Sequence, residues 1–186
     1  TGRAQIVVLD KTGTITEGKP SVTDIIASDE SDENELIEAA YSLETKSEHP
    51  LAYAVREYAK EKEYTEREVI SFAVEPGNGL SGLYSRVTAR GGNLKFISKY
   101  VKVPEELRSR ADGLADEGKT PLFFSLGDRI LGIIAVADKI KEDSVGAIGE
   151  LRNMGIKTVM LTGDGEKTAN AIARTVGTDA VVSGVL

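Results

Sequence analysis

The sequence predicts an α/β protein in which a doubly wound parallel sheet is interrupted by an inserted α+β domain. Short apolar runs rich in Val and Ile end three times on a carboxylate, at Asp10, Asp138 and Asp164. Beyond residue 130 such runs alternate with helical patterns, as in a sheet whose strands are joined by crossover helices. Between the first run and that tail, the periodicity changes to helices followed by short, Gly-punctuated strands. The expected division is 1–21 as the first segment of the sheet domain, 22–130 as the insertion, and 131–186 as the second segment.

Each element has its own signal. "QIVVLD" (5–10) is an apolar run between polar residues, the pattern of a strand covered on both faces. "SDENELIEAAYSLE" has acids in its first turn and Leu36, Ala40 and Leu43 at helical spacing. "PLAYAVREYAKEKE" begins a helix on Pro50, with Leu51, Val55 and Tyr58 on one face. Residues 69–97 read as short strands, and "PEELRSRADGLADEG" as a helix stopped at Gly118. In the tail, "RILGIIAVAD" reads as a strand of the parallel sheet. "DSVGAIGELRNMG" puts Val145, Ile148, Leu151 and Met154 on one stripe, and "IKTVMLTGD" is the third strand. "EKTANAIARTVG" places Ala169, Ile172, Ala173 and Val176 at i, i+3, i+4 and i+7, and "AVV" opens a fourth strand.

Composition narrows the function classes. With 186 residues, 40% of them hydrophobic, the chain can bury a core and form one large or two small domains. A formal charge of -7 argues against a nucleic-acid or anionic-membrane surface, so small molecules or proteins are the expected partners. No cysteine and one histidine leave no disulfide framework and too few soft ligands for a zinc or copper cage. The chain has no signal peptide and no run of about 18 apolar residues, so the cytosol fits best.

In a parallel sheet the ligand site lies beyond the carboxyl ends of the strands, where Asp10, Asp138 and Asp164 are all expected. A carboxylate there can hold a hard cation such as Mg2+ or attack phosphorus to form an acyl phosphate. Thr12, Thr14 and Thr162, with Gly13 and Gly163, would supply hydroxyl and backbone donors to phosphate oxygens. The competing reading, that Asp and Thr merely cap turns, carries about even weight for Asp138 and little for "DKTGTIT" as a whole.

"DKTGTIT" (10–16) closely resembles the phosphorylation signature of P-type ATPases. "SEHPLA" (47–52), "GNGLSG" (77–82), "GGN" (91–93), "GKTP" (118–121), "DKIK" (138–141) and "TGD" (162–164) follow in family order and resemble the heavy-metal-transporting branch. The resemblance implies a haloacid dehalogenase-like, Rossmann-type phosphorylation domain carrying an inserted nucleotide-binding domain. It implies Asp10 as the residue that receives the terminal phosphate of ATP and Lys11 as a neighbouring cation. Thr12 would join Asp10 in holding Mg2+ through its carbonyl, and Thr162, Gly163 and Asp164 would line the same pocket. Glu48 and His49 would orient the nucleotide, with Gly77, Gly79, Gly92 and Asn93 shaping the adenosine site.

The resemblance further implies Mg2+ and ATP as cofactor and phosphoryl donor. The cargo would be a heavy-metal cation, copper first, handled by membrane and actuator domains of a parent integral membrane protein. No nucleic-acid partner is expected. Related phosphatases carry a second aspartate two places after the nucleophile as general acid and base. Here that residue is Thr12, which disfavours rapid hydrolysis of the acyl phosphate. The alternatives are a soluble haloacid dehalogenase-like phosphatase, or a nucleotide-binding fragment without turnover. Two departures stand out: Gly165 replaces the family's asparagine after "TGD", and the lysine and Gly-Asp-Gly motif that the family places after "VVSGVL" are not in this sequence. The expectation is a piece of a pump in which nucleotide binding survives better than turnover.

Overall fold

The computed structural model describes residues 5–185. In chain order the elements are β1 (Ile6–Asp10), β2 (Ser21–Ala27), α1 (Glu33–Glu44), α2 (Pro50–Glu61), β3 (Val69–Glu75), β4 (Gly79–Tyr84), β5 (Val87–Gly92), α3 (Leu94–Ile97), α4 (Glu105–Asp116), β6 (Thr120–Leu126), β7 (Arg129–Ala137), α5 (Ser144–Asn153), β8 (Lys157–Leu161), α6 (Glu166–Val176) and β9 (Ala180–Val182). The chain divides into unit 1 (Thr1–Lys19, Ala115–Thr120, Asp138–Leu186) and unit 2 (Pro20–Leu114, Pro121–Ala137).

Unit 1 is built on a parallel sheet of order β1-β8-β9. The register sets Asp10 opposite Leu161 and Leu161 opposite Val182, so the carboxyl ends of all three strands finish at one edge. Ile15, Ile148, Met160, Ala169, Ile172, Ala173 and Val176 form the core, with Leu9, Ile140 and Val181 packed around it. Helix α6 contributes the four residues expected from its spacing and stops at Gly177, whose φ of 81° suits a residue without Cβ. Its N-cap, Gly165, makes no side-chain cap bond. Helix α5 differs from expectation. Ile148 is buried, but Val145 and Met154 are exposed, so the apolar stripe read from the sequence is not the packed face.

Unit 2 carries a sheet of order β2-β7-β6-β5-β4-β3. The pairs β2/β7, β3/β4, β4/β5 and β5/β6 are antiparallel. Both faces of this sheet are covered along β6 and β7, whereas Ile70 and Val74 on β3 are exposed. On one, Leu36, Ala40, Leu43 and Val55 from α1 and α2 meet Leu80, Phe124, Leu131 and Ile134. On the other, Phe96, Ile97, Leu107, Ala111 and Leu114 meet Phe123, Ile130 and Ile133. Neighbouring residues such as Phe123 and Phe124 therefore enter different cores, as the two-residue period of a strand requires.

This double coverage explains why one strand lies elsewhere than the sequence suggests. The run "RILGIIAVA" was expected in the doubly wound sheet; as β7 it pairs antiparallel with β2, Ser21 opposite Ala137. A strand buried on both faces reads as a continuous apolar run whichever sheet holds it. Asp138, just past β7, is consequently not part of the open edge of the parallel sheet. Its Oδ2 accepts from the Thr16 hydroxyl at 2.5 Å and the Gly18 N–H at 3.1 Å, and its Oδ1 from the Lys19 N–H at 3.0 Å. It is a clasp between the segment that leaves β1 and the segment that returns from β7, the turn-capping role rather than the ligand-binding one.

Replacing Asp138 by Ala removes all three acceptor contacts, and a loss of about 2 kcal/mol from unit 1 is expected. Asp138→Asn, which keeps one acceptor oxygen, should lose less. Urea unfolding followed by a probe in unit 1 checks the order; equal stability of all three proteins contradicts the clasp.

Candidate functional site

Immediately after β1 the chain folds into a tight turn, Lys11–Ile15. It closes through Thr16 N–H to Lys11 O at 2.9 Å and uses Gly13 at a φ of 77°. The turn is anchored from the far side of the sequence. Lys141 Nζ donates to Gly13 O at 2.7 Å, and Ser144 Oγ to Ile15 O at 2.8 Å. Ile15 and Thr16 are buried, while Asp10, Thr12, Gly13 and Thr14 are exposed. The turn thus presents one carboxylate, two hydroxyls and its backbone polar groups to solvent.

The parallel register of β1 and β8 brings the next strand's exit alongside it. Lys11 Nζ lies 2.6 Å from Asp164 Oδ2, with the two side chains only 11% and 9% exposed. The Thr162 hydroxyl donates to the same oxygen at 2.9 Å and accepts from the Asp164 N–H at 3.1 Å. The Thr120 hydroxyl donates to Oδ1 at 3.2 Å. A charge pair this secluded is held by its partners, and removal of one leaves the other stranded. Lys11 is therefore a cation already balanced by Asp164.

Of the residues expected on sequence grounds, unit 1 brings together Asp10, Lys11, Thr12, Thr162, Gly163 and Asp164. Among the described residues no group of three or more His, Cys, Asp or Glu forms a metal cage. The exposed Asp10 carboxylate and the neighbouring Thr12 carbonyl are hard oxygen donors. They fit Mg2+, which takes one or two carboxylates and completes its shell with water and phosphate oxygens.

Unit 2 gathers Gly77, Gly79, Gly92 and Asn93. Gly79 faces Gly92 across β4 and β5. Asn93 ties the cluster: its N–H donates to Asn78 O at 2.9 Å, its Nδ2 to Gly77 O at 3.2 Å, and its Oδ1 accepts from Phe96 N–H at 2.8 Å, capping α3. A Cβ on Gly79 would strike the Gly91 carbonyl and the Phe96 ring, and one on Gly92 would strike the Asn78 carbonyl. These glycines thus have packing reasons of their own. Glu48 and His49 stand at the entrance of α2. His49 is its N-cap, with Nδ1 accepting from Leu51 N–H at 3.2 Å, which requires the lone pair on Nδ1.

Glu44 was not among the expected residues. It closes α1 one residue after Leu43, the side chain that a Cβ on Gly91 or Gly82 would approach. It is buried, and desolvation pushes its carboxyl up to about 7 against the opposing pull of Arg56. The Arg56 guanidinium donates to the carbonyls of Glu44 at 3.2 Å and Ser47 at 2.6 Å, bracing the loop that carries Glu48 and His49. The available sequence signal was an acid in the last turn of a helix, where the macrodipole disfavours negative charge.

Comparison with known proteins places these features in context. The profile of the haloacid dehalogenase-like hydrolases matches residues 4–186. The copper-transporting ATPase 2 of Rhizobium meliloti (strain 1021) is 40% identical over 184 residues, covering 98% of this chain and 22% of that protein. The copper-exporting P-type ATPase of Staphylococcus aureus (strain JH9) is 38% identical over 187 residues, covering 100% of this chain and 23% of that protein. The chain thus spans about a fifth of the length of these curated relatives. The crystal structure of a zinc-transporting PIB-type ATPase in its E2.Pi state superposes with a TM-score of 0.67 at 33% identity, over 100% of this chain and 30% of that one. Among the described residues no helix is long and apolar enough to cross a membrane.

Burial of Glu44 makes stability depend on pH. Its folded pKa, about 7, lies above its ordinary value of 4.5, so the folded state holds the proton more tightly than the unfolded one. The resulting stabilisation is complete below pH 4.5 and is lost as pH rises through about 7. Unit 2 should therefore be less stable at pH 8 than at pH 5 by on the order of 3 kcal/mol, at about 1.4 kcal/mol per pKa unit. Glu44→Gln should flatten that slope; denaturant titrations across this pH range in both proteins provide the check.

Proposed function

Because the chain belongs to the haloacid dehalogenase-like hydrolase family, we propose that it is the ATP-binding and phosphorylation part of a heavy-metal-transporting P-type ATPase, with copper as the cargo of the parent protein. The observation that carries this reading is the exposed Asp10 carboxylate. It heads a turn of exposed hydroxyls beside a lysine whose charge Asp164 already balances. The names of relatives at 38–40% identity support the choice of cargo. Actuator and membrane domains would belong to the remainder of the parent, and they would handle the metal.

In the proposed reaction a carboxylate oxygen of Asp10 attacks the γ-phosphorus of ATP. The bond from that phosphorus to the bridging oxygen breaks, its electron pair leaves with ADP, and an acyl phosphate remains on Asp10. Mg2+, held by the Asp10 carboxylate and the Thr12 carbonyl, would supply positive charge to the γ-phosphate. Thr12, Thr14 and the backbone N–H groups of the turn and of Gly163 would orient phosphate oxygens, while Thr162, whose one hydroxyl proton goes to Asp164, would position that carboxylate. Because Lys11 is paired with Asp164, it leaves the nucleophile free while remaining close enough to meet new negative charge.

Thr12 also decides what happens next. A threonine does not relay protons near neutral pH as a carboxylate does, so the acyl phosphate persists long enough for domain motion to draw on it. That property separates a transducer from a phosphatase. ATP itself would be held in unit 2 by Glu48, His49, Gly77, Gly79, Gly92 and Asn93, with Glu44 beneath the same loop.

Two variants of His49 separate nucleotide contact from helix capping. His49→Ala removes both the ring and the cap, whereas Asn is itself a good N-cap residue and removes the ring alone. Calorimetric titration with ATP should show affinity reduced about tenfold or more in both, the loss of one charge-assisted or stacking contact. Full affinity in His49→Asn takes His49 out of the nucleotide site.

Asp10→Asn should bind ATP like the wild type yet incorporate no radiolabelled γ-phosphate, and the wild-type label should be released by hydroxylamine. Label on the Asn variant, or rapid hydrolysis of a generic phosphate monoester by the wild type, contradicts the pump reading.

A further inference from the structure

The contacts around Asp164 use both of its carboxylate oxygens. Oδ2 holds Lys11 at 2.6 Å and Thr162 at 2.9 Å, and Oδ1 is met by the Thr120 hydroxyl at 3.2 Å. Lys11 and Thr162 lie on the same two strand exits as the reacting group, whereas Thr120 lies 44 residues before Asp164. Ala115–Thr120 belongs to unit 1 although the chain on either side, to Leu114 and from Pro121, belongs to unit 2. The excursion is fastened at more than one point. The Thr168 hydroxyl donates to Lys119 O at 2.7 Å, and Gly118, at a φ of 80°, turns the chain where a Cβ would touch Ile172. The last residue of the excursion is the one that touches Asp164.

A carboxylate gripped on one oxygen alone can rotate about its χ2 bond. Lys11 follows it, since the pair is nearly sealed from water and neither charge is tolerated there unpaired. Asp10, next to Lys11 in sequence and carrying an exposed carboxylate, offers a displaced ammonium another acceptor. An ammonium on Asp10 would occupy the oxygen that must attack phosphorus.

We propose that Thr120 is a positioning residue of the phosphorylation pocket: by holding Oδ1 of Asp164 it keeps Lys11 on Oδ2 and so keeps the Asp10 carboxylate free for phosphoryl transfer. This rests on the reading of Asp10 as phosphate acceptor. It also gives the "GKTP" stretch a task that the nucleotide and the phosphate do not account for.

The test compares wild type with Thr120→Val, which keeps the β-branched shape but removes the hydroxyl, and Thr120→Ser, which retains the hydroxyl. One measurement is the rate at which an amine-acylating reagent modifies Lys11, followed by peptide mass spectrometry. The other is the rate of acyl-phosphate formation as a function of ATP concentration. Loss of a hydrogen bond to a charged group predicts about tenfold faster Lys11 modification and about tenfold slower phosphorylation at saturating ATP in the Val variant. The half-saturating ATP concentration should be unchanged, and the Ser variant should restore both rates. Lys11 modification at the wild-type rate in Thr120→Val overturns the proposal, as does faster modification with an unaltered phosphorylation rate. A wild type that binds ATP yet forms no acyl phosphate favours the nucleotide-binding fragment without turnover over the phosphorylating one, and Lys11 modification alone then decides whether Thr120 orients the ion pair.

Discussion

The contact on which unit 1 depends is the secluded ion pair between Lys11 and Asp164. It joins the residue after β1 to the turn after β8, and so ties two parallel strand exits to each other. The Thr162 and Thr120 hydroxyls both donate to Asp164, so that two opposite charges are satisfied away from water while Asp10 stays exposed. A buried pair of this kind adds little net stability relative to an apolar replacement, but it tolerates few geometries. Its contribution is therefore specificity of position.

The parts of this arrangement that were legible in the sequence are the local ones. "DKTGTIT" and "TGD" pointed to two strand exits that the structure sets side by side, because hydroxyls, glycines and carboxylates are spaced there within a single turn. Helices α1, α2, α4 and α6 were legible from their spacing and stops. The illegible parts are non-local or ambiguous by period. Strand β7 is buried on both faces and so mimics a parallel strand, which drew Asp138 into the wrong edge. Strands β2 (SVTDIIA) and β6 (TPLFFSL) went unread because neither shows a clean two-residue alternation, and β6 has a proline at its second position. Val145 and Met154 follow helical spacing, yet α5 packs through Ile148 and leaves them exposed. Thr120 and Asp164 meet through tertiary folding alone, which no spacing rule encodes.

Unit 2 illustrates a different difficulty: the residues proposed for the nucleotide already have structural tasks. His49 caps a helix, Asn93 both caps α3 and bridges two turns, and Gly79 makes room for the Phe96 ring. A substitution at any of these perturbs folding before it touches a ligand. Hence loss of activity in such a variant says little by itself about contact with nucleotide. Variants that preserve the cap or the shape while changing the chemistry are the informative ones, and for the buried Glu44 carboxyl protonation is the property to vary.

The Asp138 clasp also bears on the entropy of closing the parallel sheet. Strand β1 precedes unit 2 in the chain and its partner β8 follows it, and closing so long a loop carries an entropic penalty that grows by roughly 0.6 kcal/mol per doubling of loop length. Once β2 and β7 have paired, Ser21 lies opposite Ala137, and Thr16, Gly18 and Lys19 come within reach of Asp138. The long intervening chain then counts as a short connection. Pairing of β2 with β7 thereby shortens the effective connection between β1 and β8 and lowers the entropic cost of their parallel pairing.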